Sequence, residues 1–591
     1  MTASSVETEN GSEAMLGPER VVDGNASTRW ASRFSDPQWV RVDLGTRHSV
    51  NRVVLKWENA YGRSYEIQVS NDDRTWTTAF STTTGDGGID DVSLAATARY
   101  VRVYATQRAT AWGYSLWEFE IYGQTGPVSP TPSSSPSPPP SGSYAVRVSD
   151  NNRFLVKQDG QPFYYLADTA WELFHRQDRE DTDTYLEDRA EKGFTVIQAV
   201  ALAELDGVYT PNAYGYLPLR NGNPATPDVR DGPNNDYWDH VDYIVDKAES
   251  LGMYMGFLPT WGRWINNDRI FNSSNAYTYG RFLGERYKND PIIWILGGDR
   301  PADTAERKAI WREMARGIAV GVSGTEDYGR VLMTYHSWAE TSSSDWFHND
   351  AWLDFNAIQS GAKRWNNPCL YECPAHDYGL VPVKPTVDIE VNYDDSVVNW
   401  DPDQCCYTDY DVRKGSYWSM FAGGFGITYG TRNIWQFWTP DRSPVSYPQK
   451  YWYDSLDLSG AFHVAIQKEL MLSRPFLSRV PAQGLLVSNP GSEGTRIQAT
   501  KDEDGAYAFV YIPNANRSVS VDLSQISGST VSAWWFNPRD GKVYTQNGNV
   551  TTSPFGQFPN AGSRAFTTPS SGPDWVLVLD DASRGFTTPG T

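Results

Sequence analysis

The sequence predicts a multidomain chain: an N-terminal β-sandwich, a central (β/α)8 TIM barrel and a C-terminal β-sandwich. Three observations predict it. Short runs alternating apolar and polar residues fill positions 1–123, and strand-like runs return after about residue 474, as half-buried antiparallel strands do. Between them, eight short apolar runs mostly alternate with amphipathic helical stretches, the pattern of parallel strands buried on both faces. A Pro/Ser stretch, TGPVSPTPSSSPSPPPSGS, separates the first block from the second. The expected layout is a module at 1–124, a linker at 125–143, the barrel at 144–474, a second sandwich at 475–583 and a tail at 584–591.

Composition narrows the function. At 591 residues the chain far exceeds one core. A formal charge of −21 leaves no basic stripe to neutralise phosphates, which argues against nucleic acid; it reads as acidic, solvated surface. Aromatic residues make up 14% of the chain, with 24 Trp and 34 Tyr, a surplus that suits sugar binding because sugar C–H faces pack on flat rings. No apolar run approaches the roughly 18 residues of a membrane helix. The first residues, MTASSVETENGS, lack a basic and apolar leader and read as a mature or recombinant start. A secreted monomer is expected.

The N-terminal runs are WVRVDLG (39–45), VNRVVLKW (50–57), SYEIQVS (64–70), RYVRVYA (99–105) and WEFEIYG (117–123). Ahead of them, VVDGNASTRW offers Asp23, Asn25 and Thr28 as hard oxygen ligands in a glycine-kinked loop. That suits Ca²⁺, and equally an ordinary Asx-turn. Together with SYEIQVSNDDRTW and RYVRVYATQRATAWGYSLWEFEIYG, the segment resembles the discoidin or coagulation-factor 5/8 type C fold, as used in carbohydrate-binding module family 32. The resemblance implies a structural Ca²⁺ near Asp23, Asn25, Thr28 and Glu118, and a ligand patch on the loops at one end. Trp57, Glu58, Tyr61, Arg108, Trp112 and Tyr114 are the patch candidates; Trp30, Trp39 and Trp117 read as core.

The linker cannot build a core and should run as polyproline II, reaching on the order of 60 Å for some twenty residues. Beyond it the strand runs are FYYLADTAW (163–171), FTVIQAVAL (194–202), MYMGFLPTW (253–261), PIIWILGGD (291–299), RVLMTYHSW (330–338), LDFNAIQSG (353–361), KPTVDIEVNY (384–393) and FGITYG (425–430). The hydrophilic break 219–236 reads as an elaborated loop beside the active site. Near the C-terminus GLLVSN, RIQATK, AYAFVYIP, SVSVDL, VSAWWFNPRDGK and DWVLVLD read as strands of the second sandwich. Four cysteines, Cys369, Cys373, Cys405 and Cys406, lie close together. Local disulfides are expected, with three pairings open, which would imply an oxidising compartment. Zinc would want CxxC spacing or a histidine pair, and only His376 is near.

Residues at the C-terminal ends of barrel strands share one mouth. Those ends offer Asp168, Trp171, Gln198, Trp261, Asp299, His336, Gln359, Glu390 and Tyr429: carboxylates, amides, an imidazole and aromatics, a sugar pocket rather than a phosphate or hydride site. No catalytic cofactor is implied. Asp299 follows Gly297-Gly298, and a capping box at Asp303 and Glu306 starts the next helix without it. In TVDIE, Thr386, Asp388 and Glu390 share a strand face; Asp388 competes with Glu390 but sits deeper. Two carboxylates at two strand ends are what glycoside cleavage needs.

ADTAWELFHR (167–176), WILGGDR (294–300), WLDFNAIQSG (352–361), KPTVDIEVNY and GITYGTRNIWQFW (426–438) resemble the apiosidase-like catalytic domain of glycoside hydrolase family 140. AWWFNPRDGK (533–542) resembles the collagen-binding-type module that commonly follows it. The resemblance implies a retaining mechanism with Asp299 as acid/base and Glu390 as nucleophile, and adds Tyr393 to the substrate-binding set. Retention predicts carboxyl groups about 5–5.5 Å apart. The chain departs from the family at Ala362 and Ile427, where histidines are usual, and at Tyr393-Asp394, where the family writes Tyr-Glu. These changes put apiose specificity in question and leave the reaction class intact. The expected activity is retaining cleavage of a plant or microbial polysaccharide or glycoside. The alternatives are a transglycosidase using the same pair, or a carbohydrate- or matrix-binding protein with a dead barrel.

Overall fold

The computed structural model describes residues 1–7, 16–25, 27–71, 76–124, 146–361 and 363–591; the predicted linker and Ala362 lie outside the described residues. The chain forms two compact units, Met1–Pro138 and Pro139–Thr591.

The first unit is built on a seven-stranded sheet. Its centre is an antiparallel pair, Gln38–Trp57 and Ile89–Arg108. WVRVDLG and VNRVVLKW, expected as separate strands, are one strand whose register shifts between Asp43 and His48; both runs keep the same partner, so the irregular stretch between them does not end pairing. Alternate residues Val40, Val53, Leu55, Ile67, Val103 and Phe119 form the core with Trp30. Trp39 and Trp117, expected in that core, are only half-buried. They fall on the outward phase of their strands, where guanidiniums cover them, Arg41 at 6.0 Å from Trp39 and Arg29 at 5.6 Å from Trp117.

The second unit carries eight parallel strands: β1 (Tyr165–Thr169), β2 (Val196–Val200), β3 (Tyr254–Leu258), β4 (Ile292–Gly297), β5 (Met333–His336), β6 (Asn356–Gln359), β7 (Thr386–Glu390) and β8 (Gly426–Tyr429). Each falls inside its predicted run. They pair in the order β5-β4-β3-β2-β1-β8-β7-β6, and a short antiparallel strand, Thr341–Ser342, adds to β6 as the ninth member. The sheet is a nearly closed barrel. Between β5 and β6 the described residues form no ladder; the Asp354 N–H bonds the Met333 carbonyl at 2.9 Å and the Thr334 hydroxyl bonds the Phe355 carbonyl at 2.6 Å instead.

Seven longer helices surround the sheet: α1 (Arg179–Glu191), α2 (Tyr237–Ser250), α3 (Ser273–Arg286), α4 (Ala305–Ser323), α5 (Cys369–Tyr378), α6 (Asp409–Phe421) and α7 (Ser459–Leu472). The start of α4 corrects the expected capping box: Thr304, not Asp303, is the N-cap and accepts from the Arg307 N–H, while Asp303 pairs with the Arg307 guanidinium. Asp299 is free of the helix on either account. Helices α5 and α7 escaped prediction, α5 because it contains Pro374, a residue that usually breaks a helix. Disulfides join Cys369 to Cys373 and Cys405 to Cys406.

After α7 the chain builds an eight-stranded sheet and a two-stranded one. GLLVSN is not a strand; it opens in a 3₁₀ turn, Gln483–Leu485, and then meets the two-stranded sheet through a bridge from Leu486 to Val521 and the bonds of Val487 and Ser488 to Ser520. One face of the larger sheet contributes Tyr507, Phe509, Tyr511, Phe536 and Val578 to the barrel's own core. The rings of Tyr417 and Tyr511 stack at 4.8 Å across this boundary. Asp574, wholly buried, accepts from Arg413 of α6 at 2.7 and 3.0 Å, from Arg539 at 2.8 Å and from the Tyr511 hydroxyl at 2.9 Å.

Removing one partner of such a buried pair strands the other charge. Asp574→Ala is expected to lose about 3–5 kcal/mol of stability, read as a fall in the urea midpoint. Glu285→Ala, which breaks an exposed pair with Arg281, should lose under about 1 kcal/mol. Equal losses would contradict the bracing role of Asp574.

Candidate active site

The site is set by the corner after β4. Gly297, Gly298 and Asp299 have φ of 98°, 122° and 49°, three successive left-handed residues, two of them glycine for that reason. The glycines admit protein rather than ligand. A Cβ on Gly297 would lie 2.3 Å from the His336 carbonyl oxygen, and one on Gly298 would lie 2.7 Å from Trp261 Cε3. The corner turns Asp299 into a cleft of about 500 Å³ that it shares with Glu390 at the end of β7.

His336, at the end of β5, links the two carboxylates. Its Nε2 lies 3.1 Å from Glu390 Oε2, a close contact that misses hydrogen-bond alignment. Its Nδ1 lies 3.3 Å from the Asp299 N–H and 3.1 Å from the Ser337 carbonyl oxygen. A ring carrying its proton on Nε2 accepts from Asp299; one protonated on Nδ1 donates to Ser337. The imidazole is held between the rings of Trp171 and Trp261, at 5.3 and 5.5 Å.

Asp299 Oδ1 accepts from Gln359 Nε2 at 3.2 Å and Oδ2 from Arg300 Nη1 at 3.2 Å. Burial, then the negative charge of Glu390, pushes the Asp299 carboxyl up to about 6, against the pull of His336, Arg300 and Gln359. Asp388, two residues before Glu390 on β7, is fully buried beneath it and bonded to the Ser360 hydroxyl. Burial pushes its carboxyl up to about 7. It lies in register with Ile358 and Ile427, a bulge separates it from Glu390, and it is not among the cleft residues.

Of the other predicted substrate-binding residues, Trp171, Trp261, Gln359 and Tyr393 line the cleft, and His336 lies buried behind it. Three do not reach it. Asp168 is buried against Arg189 at 2.6 Å and Tyr185 at 2.8 Å. Gln198 donates to the Thr428 hydroxyl at 2.8 Å inside the barrel, and the Tyr429 hydroxyl donates to Asp394 at 3.2 Å. Asp168 and Tyr429 fall on the strand face turned to the helices, against α1 and against Gly460 of α7, while Gln198 is on the inward face and is spent on Thr428. Asp394 also takes the Gly460 N–H at 3.0 Å, and Ile427 is buried in β8, so neither departure from the family pattern touches the cleft directly. Sequence reasoning missed the loop residues that complete the wall, chiefly Glu204, Arg300, Trp338, Lys363, Trp400 and Arg432. Trp338 and Trp400 stay 37% and 40% exposed there.

In the N-terminal module, two patch candidates are corrected. Trp57 and Tyr114 are buried, the first donating to Asp90 at 2.8 Å and the second bonded to Asp36; Trp57 closes the end of its strand and Tyr114 the loop before Ser115–Gln124. Glu58 accepts from the Ala60 N–H at 3.0 Å and faces Arg29 at 3.6 Å. Tyr61 is half-buried against Gly87, Arg108 pairs with Asp36 at 3.3 Å, and Trp112 is 58% exposed. The four metal candidates are local to one another. Asp23 takes the Thr28 hydroxyl at 2.8 Å and the Asn25 N–H at 3.0 Å. Glu118 is 5% exposed, and its Oε1 has no partner among the described residues; burial and then the charge of Asp23 push its carboxyl up. A buried oxygen left unpaired beside a second carboxylate fits a hard cation.

Residues 149–478 match the family model described as apiosidase-like, catalytic domain; residues 20–103 match a NedA-like, galactose-binding domain, and residues 480–580 the collagen-binding domain of a collagenase. The chain is similar to a solved structure described as a glycoside hydrolase, at 33% identity and a TM-score of 0.67, covering 74% of this chain and 97% of that one. A glycoside hydrolase family 5 structure from Bacteroides vulgatus ATCC 8482 is 32% identical, with a TM-score of 0.67 and coverage of 74% and 93%. Among curated proteins, a polysaccharide lyase 8 family protein, HylA of Enterococcus faecalis (strain ATCC 700802 / V583), is 39% identical over 70 residues; the match spans 12% of this chain and 5% of that protein.

The β4 corner carries its own test. Gly298→Ala puts a Cβ at φ 122° against the Trp261 ring, and is expected to destabilise by about 1–3 kcal/mol, with a shift in tryptophan emission. Gly252→Ala, at φ 76° with nothing within 4 Å of the new Cβ, should lose less in the same thermal unfolding measurement and leave emission unchanged. The reverse order would refute the packing argument.

Proposed function

The chain belongs to the apiosidase-like glycoside hydrolases, and on that premise we propose a secreted retaining glycosidase that works on a polysaccharide. The observation that carries this reading is the pairing of Asp299 with Glu390 in one cleft, with the Asp299 carboxyl raised by burial and by its neighbour's charge. We read the near-barrel as a (β/α)8 barrel with one loosened seam, and the two carboxylates as strand-end residues at its mouth.

In the first step Glu390 attacks the anomeric carbon while Asp299 gives its proton to the departing glycosidic oxygen, so that the C–O bond breaks as the glycosyl–enzyme ester forms. In the second step Asp299, now a carboxylate, takes a proton from water as the water oxygen attacks the same carbon and Glu390 leaves. A raised pKa suits the first half of this cycle, because the acid must hold its proton near the operating pH. Trp338 and Trp400 give the cleft two exposed rings for sugar faces. The carbohydrate-binding-type module on a Pro/Ser tether supports a polymeric substrate, since tethering raises local enzyme concentration, and an extracellular setting. No helix of the described residues is long and apolar enough to cross a membrane. In the module, Asp23, Asn25, Thr28 and Glu118 would hold Ca²⁺, which when bound supplies positive charge to two neighbouring carboxylates and fixes the loop.

Hydrolysis of a panel of aryl glycosides and plant polysaccharides tests the reading. Asp299→Ala and Glu390→Ala should each lose about 10²–10⁴ in kcat, with azide restoring turnover of an activated substrate to Asp299→Ala. In wild type, kcat/KM should fall as pH rises through about 6, where Asp299 loses the proton it must donate. Activity surviving both substitutions would sink the assignment. For the module, chelation should lower its unfolding temperature in wild type and leave Asp23→Ala unmoved; an indifferent wild type would remove the calcium.

A further inference from the structure

Of the cations that line the cleft, one has no carboxylate to hold it. Arg263 lies 2.8 Å from Asp268, Arg300 lies 3.2 Å from Asp299 and Lys363 lies 3.7 Å from Glu340. Arg432 opens the short helical turn that follows β8. It is 3% exposed and lines the cleft, yet no carboxylate among the described residues comes within ion-pair distance of it. Its guanidinium is held by two other contacts. Nη1 donates to the Ser446 carbonyl at 2.9 Å, and the group lies 5.4 Å from the centre of the Trp400 ring. Nε and Nη2 have no acceptor among the described residues, and neither is sealed from solvent, so this edge of the fork is turned to the cleft.

Both contacts are supplied by unfavourable backbone. Asn399 and Trp400 have φ of 54° and 53°, and Ser446 and Tyr447 both have φ of 58°. Consecutive left-handed residues other than glycine are costly, and such strain gathers where ligands are gripped. Here the two strained pairs converge on one arginine, Trp400 on its flat face and Ser446 on its edge.

A charge taken from water needs a partner. Burial lowers the Arg432 guanidinium to about 10, against the pull of Tyr393, Glu390 and Tyr407; none of the three is hydrogen-bonded to it. Glu390 acts on Arg432 and Asp299 does not, which puts the arginine on the nucleophile's side of the cleft. In a retaining glycosidase the leaving group departs toward the acid, so a wall beside the nucleophile meets the sugar that is transferred. We propose that Arg432, backed by Trp400, is a specificity-determining residue that binds an acidic substituent, carboxylate or sulfate, on the glycone itself. This deepens the glycosidase reading and rests on it for the side of the cleft each sugar takes. Nε and Nη2 form the fork that receives two oxygens of one oxyanion by parallel bonds. In the glycosyl–enzyme Glu390 is an uncharged ester, and the anion on the sugar then remains as the counter-charge of Arg432.

Free sugars test the subsite without turnover. Calorimetric titration of the full chain compares glucuronate with glucose, galacturonate with galactose, and glucose 6-sulfate with glucose, with sodium sulfate at matched ionic strength as a control. At least one acidic sugar should bind about tenfold or more tightly than its neutral counterpart, and the uronate and sulfate arms tell the two substituents apart. Arg432→Gln should abolish that preference, while Arg432→Lys, which keeps the charge and loses the fork, should retain part of it. Should Arg432→Gln fail to fold, the wild-type comparison and Arg432→Lys still decide. Equal binding of acidic and neutral sugars by wild type overturns the proposal, as does a preference that survives Arg432→Gln or is matched by sodium sulfate alone. Faster hydrolysis of neutral aryl glycosides than of aryl glycuronides and sulfated aryl glycosides would reject the glycone assignment and leave the hydrolase reading standing. An Arg432-dependent preference in a chain that cleaves no glycoside would uphold the anion subsite and reject the hydrolase reading.

Discussion

The corner at the end of β4 governs the geometry of the rest. Three left-handed residues in succession are unfavourable for any chain that has side chains to place there, so two glycines precede the carboxylate and only Asp299 bears the strain. The space the glycines leave is filled by the Trp261 ring and the β5 backbone at His336. Trp261 in turn packs on Trp171 at 5.2 Å, which brings the ends of β1, β3 and β5 to one point. His336, clamped by these rings, then stands at the height where it meets Glu390 from β7. The acid, the imidazole and the second carboxylate are thus positioned by one turn and one aromatic cluster, each on a different strand.

Much of this was legible before any coordinates. A strand buried on both faces must be apolar along its length, so all eight barrel strands announced themselves, and glycines before Asp299 and the strand-end place of Glu390 marked the pair. Which face each residue takes was not legible. Asp168, Gln198 and Tyr429 sit at strand ends as Trp171, Trp261 and Glu390 do, yet Asp168 and Tyr429 turn outward to the helices and Gln198 inward to Thr428, and a strand buried on both faces has no alternation to tell the two apart. Nor was the wall legible. Glu204, Arg300, Trp338 and Trp400 lie on loops, where no periodicity distinguishes an inward side chain from a solvated one. In the N-terminal module the same ambiguity ran the other way: Trp57 and Tyr114 looked like ligand platforms because aromatic rings serve both core and sugar.

The C-terminal sheets hold the catalytic half from behind. α6 follows β7, the strand that ends in Glu390, and Arg413 of α6 is anchored on Asp574, while Arg479 caps the carbonyls of Met420 and Gly424 just before β8. Arg474, at the foot of α7, is likewise paired with Asp580 at 2.9 and 2.8 Å. Three buried guanidiniums fix the last part of the barrel to the sheet that follows it, and the seam between β5 and β6 lies elsewhere on the sheet. Buried ion pairs add little net stability over apolar packing, but they fix one arrangement of the surfaces they join.

The continuous core of barrel and C-terminal sheet has a consequence for descent. A gene fragment ending just after the last barrel helix would encode a protein with part of its interior exposed and with Arg413 and Arg474 stripped of their partners. Such a fragment is a poor currency for recombination. The portion of this chain that can be inherited as a working piece is the whole of residues 139–591, and the N-terminal module, a compact unit by itself, is the part that can be exchanged for another.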